Sequence, residues 1–109
     1  MKVNLDKEFR DCFGSPITEK RGGRDVPLRV GERLARSLFN LSALDGKPLG
    51  QEEKYTAYSL SRRIARHPAE VELTTEEASF VKRVSAEQLS AGAYGFVADL
   101  IEGKTDVEP

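Results

Sequence analysis

Several residue types that carry chemistry are scarce or missing in this chain of 109 residues, which has one cysteine, one histidine and no tryptophan. A single cysteine cannot form an intramolecular disulfide, and one cysteine with one histidine cannot complete a structural zinc site within the chain. The glycine-rich phosphate-binding motifs and the G-x-S-x-G nucleophile motif are also missing from the sequence. We therefore predict no cofactor, no metal, no small-molecule substrate and no enzymatic activity.

Long hydrophobic runs are missing as well. The first residues, MKVNLDKEFRD, lack the apolar segment of a signal peptide, and no stretch reaches the length of a membrane-spanning helix. We expect a protein of the reducing cytoplasm that has no membrane partner.

The sequence also lacks an excess of one charge, because 17 basic residues are balanced by 18 acidic residues. A domain that binds nucleic acid without sequence preference is expected to be strongly basic, so this balance disfavours nucleic acid as a partner. The hydrophobic fraction of 39% is sufficient for one core in a chain of this length. We predict a single domain over residues 1–103 and a polar C-terminal tail at 104–109.

Residues 1–30 are predicted to be extended, because KVNL and VPLRV both alternate apolar and polar residues. Gly22 and Gly23 can adopt the positive φ angles of a tight turn, and Pro27 restricts its strand to a sheet edge. Two strands alone are marginally stable in water, so a helix must cover one of their faces. We predict an α+β fold in which this N-terminal β-hairpin packs on a bundle of three to four short helices over 31–103.

The first two predicted helices follow from apolar residues at helical spacing. Leu34, Leu38 and Leu41 form the stripe of the first helix, which the glycine- and proline-containing segment DGKPLG ends. The second helix is predicted to begin near Gln51 and to end before Pro68. Its predicted buried residues are Ala57, Leu60 and Ile64.

The segment VELTTEEASFVKRV, residues 71–84, has the pattern of a helix start. Thr74 and Glu77 are spaced as a capping box, in which each side chain accepts a hydrogen bond from the backbone N–H of the other residue. The glutamate pairs at 52–53 and 76–77 both fall in first turns, so we interpret them as helix starts and not as catalytic carboxylates. The predicted buried residues of this third helix are Phe80, Val81 and Val84.

A fourth helix is predicted from Ser90 to Glu102, with Gly103 ending it. Gly92 and Gly95 are unfavourable inside a helix, so close packing or a break is expected there. Its predicted inward-facing residues are Tyr94, Val97, Leu100 and Ile101.

The cysteine and the histidine form one conceivable pair for nucleophilic catalysis. His67 follows RIAR at a helix C-terminus, where the helix dipole favours a cationic ring without any catalytic role. Cys12 stands beside Phe13, and we interpret it as a small buried hydrophobic residue. A catalytic pair of Cys12 and His67 is the disfavoured alternative.

Aromatic residues offer a route to function through binding, because they are enriched in the cores of protein interfaces. The same residues can instead fill the domain's own core, since a small domain has few other bulky side chains. We predict a protein partner, with a homo-oligomer left open. The candidate interface residues are Phe39, Tyr55, Tyr58, Tyr94 and Phe96.

Two basic clusters support an alternative function, that of a nucleic-acid-associated regulator. The first lies in EKRGGRD at the predicted hairpin tip, and the second lies in SRRIARH at a helix end. Solvated surface charge is the favoured interpretation of both clusters, because aromatic interleaving and a recognition-helix pattern are missing. The arginines of this alternative are Arg21, Arg24, Arg62, Arg63 and Arg66.

A short hairpin leads to VPLRVGERLARSLFN, then to GQEEKYTAYSLSRRIA, and then to VELTTEEASFVKRV. This order of segments, over residues 1 to about 102, resembles a group of small proteins encoded in bacteriophage and prophage genomes, mostly without assigned function. The resemblance implies a phage or host protein as the partner, in virion assembly or in an accessory role. It also implies a location in the cytoplasm of a host cell or in the virion.

Overall fold

The computed structural model describes residues 1–104 and has an α+β fold, in which helices are joined by short antiparallel strand pairs. Of the predicted tail, all residues after Lys104 lie outside the described residues. No helix in the described part is long and apolar enough to cross a membrane. In chain order the elements are β1 (Lys2–Val3), β2 (Thr18–Arg21), β3 (Arg24–Pro27), α1 (Val30–Phe39), β4 (Ala43–Leu44), β5 (Lys47–Pro48), α2 (Gln51–Arg66), β6 (Val71–Glu72), α3 (Thr75–Gln88) and α4 (Ala91–Ile101).

The predicted N-terminal hairpin is present and consists of β2 and β3, paired from Thr18 opposite Pro27 to Arg21 opposite Arg24. Gly22 and Gly23 have φ angles of +57° and +81°. Positive φ at both central residues is the condition for the type I′ turn, whose twist matches that of the two strands. The glycine pair therefore sets the register of the hairpin.

The run KVNL does not join this hairpin. Instead, β1 pairs with β6, which places Lys2 opposite Glu72 and Val3 opposite Val71. Val3 and Val71 are both buried, at 4% and 0% exposure. The pairing joins residues almost seventy positions apart, and it buries apolar side chains that a local hairpin at the N-terminus would leave in water.

Helices α1 and α2 pack against each other and contribute much of the core. Gly31 lets the start of α1 approach two loop residues closely, because a Cβ atom there would lie 3.0 Å from the Cβ of Pro68 and 3.2 Å from the backbone oxygen of Leu5. The predicted bounds and buried face of α2 are confirmed, with Ser61 as a further buried residue. The side chains with 2% exposure or less in the two helices are Val30, Leu34, Leu38, Ala57, Leu60, Ser61 and Ile64.

The segment between these helices is a second, very short hairpin, β4–β5, and not merely a helix stop. Asp45 and Gly46 have φ angles of +56° and +75°. An Asp-Gly pair between two short runs is a strong signal for a type I′ turn. The sequence therefore carried the information for this hairpin, although the prediction used the segment only to end α1.

The predicted start of α3 is confirmed in detail. The N–H of Glu77 donates to Oγ1 of Thr74 at 3.1 Å, and the N–H of Thr74 donates to Oε1 of Glu77 at 2.9 Å. Phe80, Val81 and Val84 are buried as predicted. The capping box therefore fixes where the chain turns from β6 into α3.

Helix α4 confirms the predicted bounds but corrects the expectation for its glycines. Gly103, with φ of +75°, follows the helix, and the N–H groups of Gly103 and Lys104 donate to the oxygens of Leu100 and Asp99. This pair of bonds is the Schellman motif that ends many helices. At Gly92 and Gly95 the helix is unbroken, and apart from the adjoining residues and the helix's own backbone no atom lies within 4 Å of where a Cβ would be. The two glycines thus neither break the helix nor permit close packing.

Candidate functional site

Three of the five predicted interface aromatics lie together on the surface. The rings of Phe39 and Tyr58 are 6.2 Å apart, and those of Tyr55 and Tyr58 are 5.8 Å apart. Their exposures are 62% for Phe39, 69% for Tyr55 and 38% for Tyr58. We call these three residues the aromatic face. Its rings contact one another while much of their apolar surface stays in water.

The aromatic face is positioned by the helical period of α2 and by the end of α1. Tyr55 precedes the buried Ile64 by nine residues, which at 3.6 residues per turn places the two on opposite sides of the helix. Tyr58 lies one turn beyond Tyr55 on the same outer side. Phe39, the last residue of α1, reaches this side because α1 packs along α2.

Arg62 joins the aromatic face to the basic end of α2. Its guanidinium carbon lies 5.7 Å from the centre of the Tyr58 ring, and Nη1 donates to the Tyr58 hydroxyl at 2.8 Å. Beyond it, a shallow depression of about 440 Å³ runs along the end of the helix. The residues that line this depression are Tyr55, Tyr58, Ser59, Arg62, Arg63, Arg66, His67, Glu70 and Glu72.

Arg63 has a structural partner. Its Nη1 donates to Oε1 of Glu77 at 2.8 Å and to the backbone oxygen of Glu72 at 2.9 Å. The hydrogen bond from Arg63 is the main reason why the pKa of Glu77 lies below its ordinary value. Because Glu77 also holds the capping box, Arg63 ties the end of α2 to the start of α3.

The hairpin arginines are separate from this depression. Arg21 donates to Glu19 and to Glu32, each at 2.8 Å, and these bonds raise the pKa of Arg21. The bond from Arg21 is also the first cause of the lowered pKa of Glu32. Arg24 is exposed and forms no ion pair within residues 1–104. Of the five arginines in the nucleic-acid alternative, two are therefore held by carboxylates.

The other two predicted interface aromatics lie on α4. Phe96 packs against the core, and its ring centre is 5.8 Å from that of the buried Phe9. Tyr94 is half-buried. The structure thus divides the predicted aromatic set between the aromatic face and the side of α4.

The interpretation of Cys12 as a buried residue is wrong, because Cys12 is exposed and its neighbour Phe13 is 89% exposed. The carboxylate of Asp11 accepts hydrogen bonds from the backbone N–H groups of Phe13 and Ser15, at 2.9 and 3.0 Å. This side-chain turn closes the chain locally and directs the two side chains at its tip into solvent. The signal available in the sequence was Asp11 at the start of the segment DCFGSP, because aspartate side chains bond to backbone groups two residues on and glycine, serine and proline are common in turns.

The thiol of Cys12 and the imidazole of His67 do not line the same depression. His67 caps the end of α2 and lines the depression described above, of which Cys12 is not part. Within residues 1–104, no three His, Cys, Asp or Glu side chains come together in a group that could hold a metal ion.

Comparisons with known proteins add no assignment, since no family model, curated protein or solved structure matches the chain. The likeness to phage-encoded proteins therefore stays an expectation from the sequence.

Proposed function

We propose that the protein is a non-enzymatic binding protein that acts by holding another protein at the aromatic face. The observation that carries this proposal is the exposure of Phe39 and Tyr55, at 62% and 69%. Isolated exposed apolar residues are ordinary on a protein surface, but adjacent ones form a patch of the kind that marks interaction sites.

The composition of the aromatic face and its surroundings also supports a protein partner. Tyrosine and arginine are among the residue types enriched in interface hot spots, where one side chain can contribute about 2 kcal/mol or more. Tyr58 already has its hydroxyl bonded to Arg62, at 2.8 Å. Such preorganisation lowers the entropy that would be lost when a partner orders these side chains.

We propose a non-enzymatic protein because the glutamates at the helix starts have structural roles. Glu77 and Thr74 form a capping box, and Glu77 also binds Arg63. Glu53 accepts a hydrogen bond from the N–H of Gly50 at 3.1 Å, which stabilises the start of α2. These carboxylates have structural partners and are not grouped around a shared reaction site.

The resemblance to phage- and prophage-encoded proteins gives the proposal its biological setting. We propose a phage or host protein as the partner, and a role in virion assembly or in an accessory process within the host cytoplasm.

A nucleic-acid-associated regulator is the second candidate. It is favoured by the observation that Arg62 and Arg66 line the same depression as two tyrosines, because bases stack on aromatic rings and phosphates attract arginine. Glu70 and Glu72 line that depression too, and their charge repels phosphate. This candidate predicts DNA or RNA binding that is lost as salt rises and that weakens in the double variant Arg62→Ala, Arg66→Ala; no binding at low salt eliminates it.

Site-specific photocross-linking tests the leading proposal. A photoreactive phenylalanine analogue replaces Tyr55, and the matched control carries the same analogue at Ser79, an exposed position on α3. In the cells that make the protein, the variant at Tyr55 is expected to form protein adducts, because its ring lies at the binding surface. Adducts at neither position, or equally at both, would refute the proposal.

A further inference from the structure

The residues on the outward side of α2 would complement the same row of residues on a second helix that runs in the opposite direction. At 3.6 residues per turn, the line opposite the buried Ile64 carries Glu52, Tyr55, Ser59, Arg62 and Arg66. The line is thus acidic in the first turn, aromatic in the second turn, polar and uncharged at its middle and basic in the last two turns. Tyr58 flanks it on the side where Phe39 lies.

The charges on this line have no ionic partner in the described part of the chain. Glu52 and Arg66 form no ion pair within residues 1–104, and Arg62 bonds to a hydroxyl instead of a carboxylate. By contrast, Arg63, which lies beside this line, is paired with Glu77. The ends of the line therefore present opposite charges that are available to another molecule.

We propose that a second copy of this chain covers the aromatic face, with the two α2 helices side by side and antiparallel. This inference rests on the proposed function and names the occupant of the same surface. The register that places Tyr55 against Arg62 of the second copy also brings Glu52 close to Arg66 of that copy. Each copy then contributes both a cation–π contact and an ion pair, because a twofold axis repeats every contact.

The antiparallel direction follows from the charges. In a parallel pair Arg66 would lie against Arg66 and Glu52 against Glu52, so like charges would meet at both ends. The antiparallel pair opposes the two helix dipoles favourably as well. The twofold axis passes between residues 58 and 59, with both Tyr58 rings on one face of the helix pair and both Ser59 side chains on the opposite face.

The expected affinity is modest. Helix α2 has 16 residues, so the shared line is about 24 Å long at 1.5 Å per residue. Two such faces form an interface at the low end of the size range of specific complexes. We expect a dissociation constant on the order of 10 μM at low salt.

Charge exchange tests the proposed pairing. The purified chain has a mass of 12.1 kDa, and light scattering over a range from about 1 μM to about 500 μM should show this mass rising towards twice that value. Glu52→Arg and Arg66→Glu each place two pairs of like charges in the antiparallel dimer, and each should weaken dimerisation by at least about tenfold. An equimolar mixture of the two variants should recover it, because both pairs are then of opposite charge.

The controls separate a lost contact from a damaged fold. Glu76→Arg, like Glu52→Arg, places an arginine in the first turn of a helix, where the helix dipole disfavours positive charge. Because Glu76 lies on α3 and not on α2, this variant should dimerise like the wild type. A monomeric wild type over the whole range, or a mixture that does not recover, overturns the antiparallel dimer. If the cross-linker at Tyr55 then captures a different protein, the binding function stands and only this occupant is wrong; if it captures nothing, both fail.

Discussion

The interaction among Thr74, Glu77 and Arg63 allows the most detailed prediction. Oε1 of Glu77 accepts hydrogen bonds from the N–H of Thr74 at 2.9 Å and from Nη1 of Arg63 at 2.8 Å. The side chain of Glu77 is 23% exposed and that of Arg63 is 36% exposed, so solvent weakens the ion pair only in part. Glu77→Ala removes both bonds, whereas Glu77→Gln keeps an acceptor for the cap and removes the charge.

The magnitudes follow from these contacts. Loss of a helix cap costs about 1 kcal/mol, and loss of a partly exposed hydrogen bond between charged groups costs about another 1 kcal/mol. We expect Glu77→Ala to lower the free energy of unfolding by about 2 kcal/mol and Glu77→Gln by about 1 kcal/mol. For a domain of this size, each kcal/mol corresponds to about 4 °C in Tm.

The same interaction predicts a pH dependence with a definite sign. The pKa of Glu77 in the folded protein is lowered from the ordinary value of 4.5, chiefly by the hydrogen bond from Arg63. Its contribution to stability is therefore complete above the unfolded pKa and is lost as the pH falls through the lower folded pKa. The difference in unfolding free energy between the wild type and Glu77→Gln should shrink as the pH is lowered from about 6 to about 3.

Urea denaturation followed by circular dichroism measures these free energies at each pH. Thr74→Ala serves as the control that removes half of the capping box and leaves the ion pair with Arg63. If Glu77→Gln is as stable as the wild type at neutral pH and the difference does not change with pH, the assigned role of Arg63 is wrong.

Three further predictions follow from burial. Gly31→Ala should lower the unfolding free energy by about 1–3 kcal/mol, because its Cβ would lie 3.0 Å from Pro68. Gly95→Ala should instead raise the unfolding free energy by about 0.5–1 kcal/mol, because open space surrounds that position. Chemical denaturation compares the two variants, and a stabilising Gly31→Ala would contradict the packing of α1. Phe96→Ala should lower the unfolding free energy by about 2 kcal/mol, because its ring packs on Phe9. Tyr55→Ala, measured at a concentration below about 1 μM, should lower it by less than about 1 kcal/mol. Equal losses of stability would place Tyr55 in the core. The thiol of Cys12 should react with a chromogenic disulfide reagent in the folded protein, since it is exposed; reaction only after unfolding would show that it is buried.

Local signals in the sequence predicted the helical part well. The bounds and buried face of α2, the cap of α3 and the end of α4 all depend on residues within a few positions of one another. The turn formed by Gly22 and Gly23 is local in the same sense. Each of these features follows from backbone geometry or helical spacing, which neighbouring residues are sufficient to set.

Pairing between distant segments was not predictable in the same way. The partner of KVNL is β6, and the pairing extends to the N–H of Leu73, which donates to the oxygen of Met1 at 2.8 Å. Nothing near residue 3 encodes that partner, because it is selected by the burial of Val3 and Val71 in a shared core. Residues 71–72 by themselves predict only the approach to a helix.

The candidate site shows the same division. The sequence identified Phe39, Tyr55 and Tyr58 but could not separate them from Phe96, since aromatic residues are suited to a core and to an interface alike. Only the packing of α1 along α2 brings Phe39 within 6.2 Å of Tyr58. The exposure of the Phe13 side chain was not predicted, because it depends on the turn that Asp11 forms.

The most direct test of the account is oxidative footprinting of the aromatic face by hydroxyl radicals, read by mass spectrometry. Phe39 and Tyr55 should be oxidised readily in the dilute purified protein and should be protected in the cells that make it, where the binding partner covers them. The buried Phe9, at 1% exposure, should be protected in both samples and serves as the internal control. Equal oxidation of Phe39 and Tyr55 in the two samples would contradict the claim that this surface is where the protein binds.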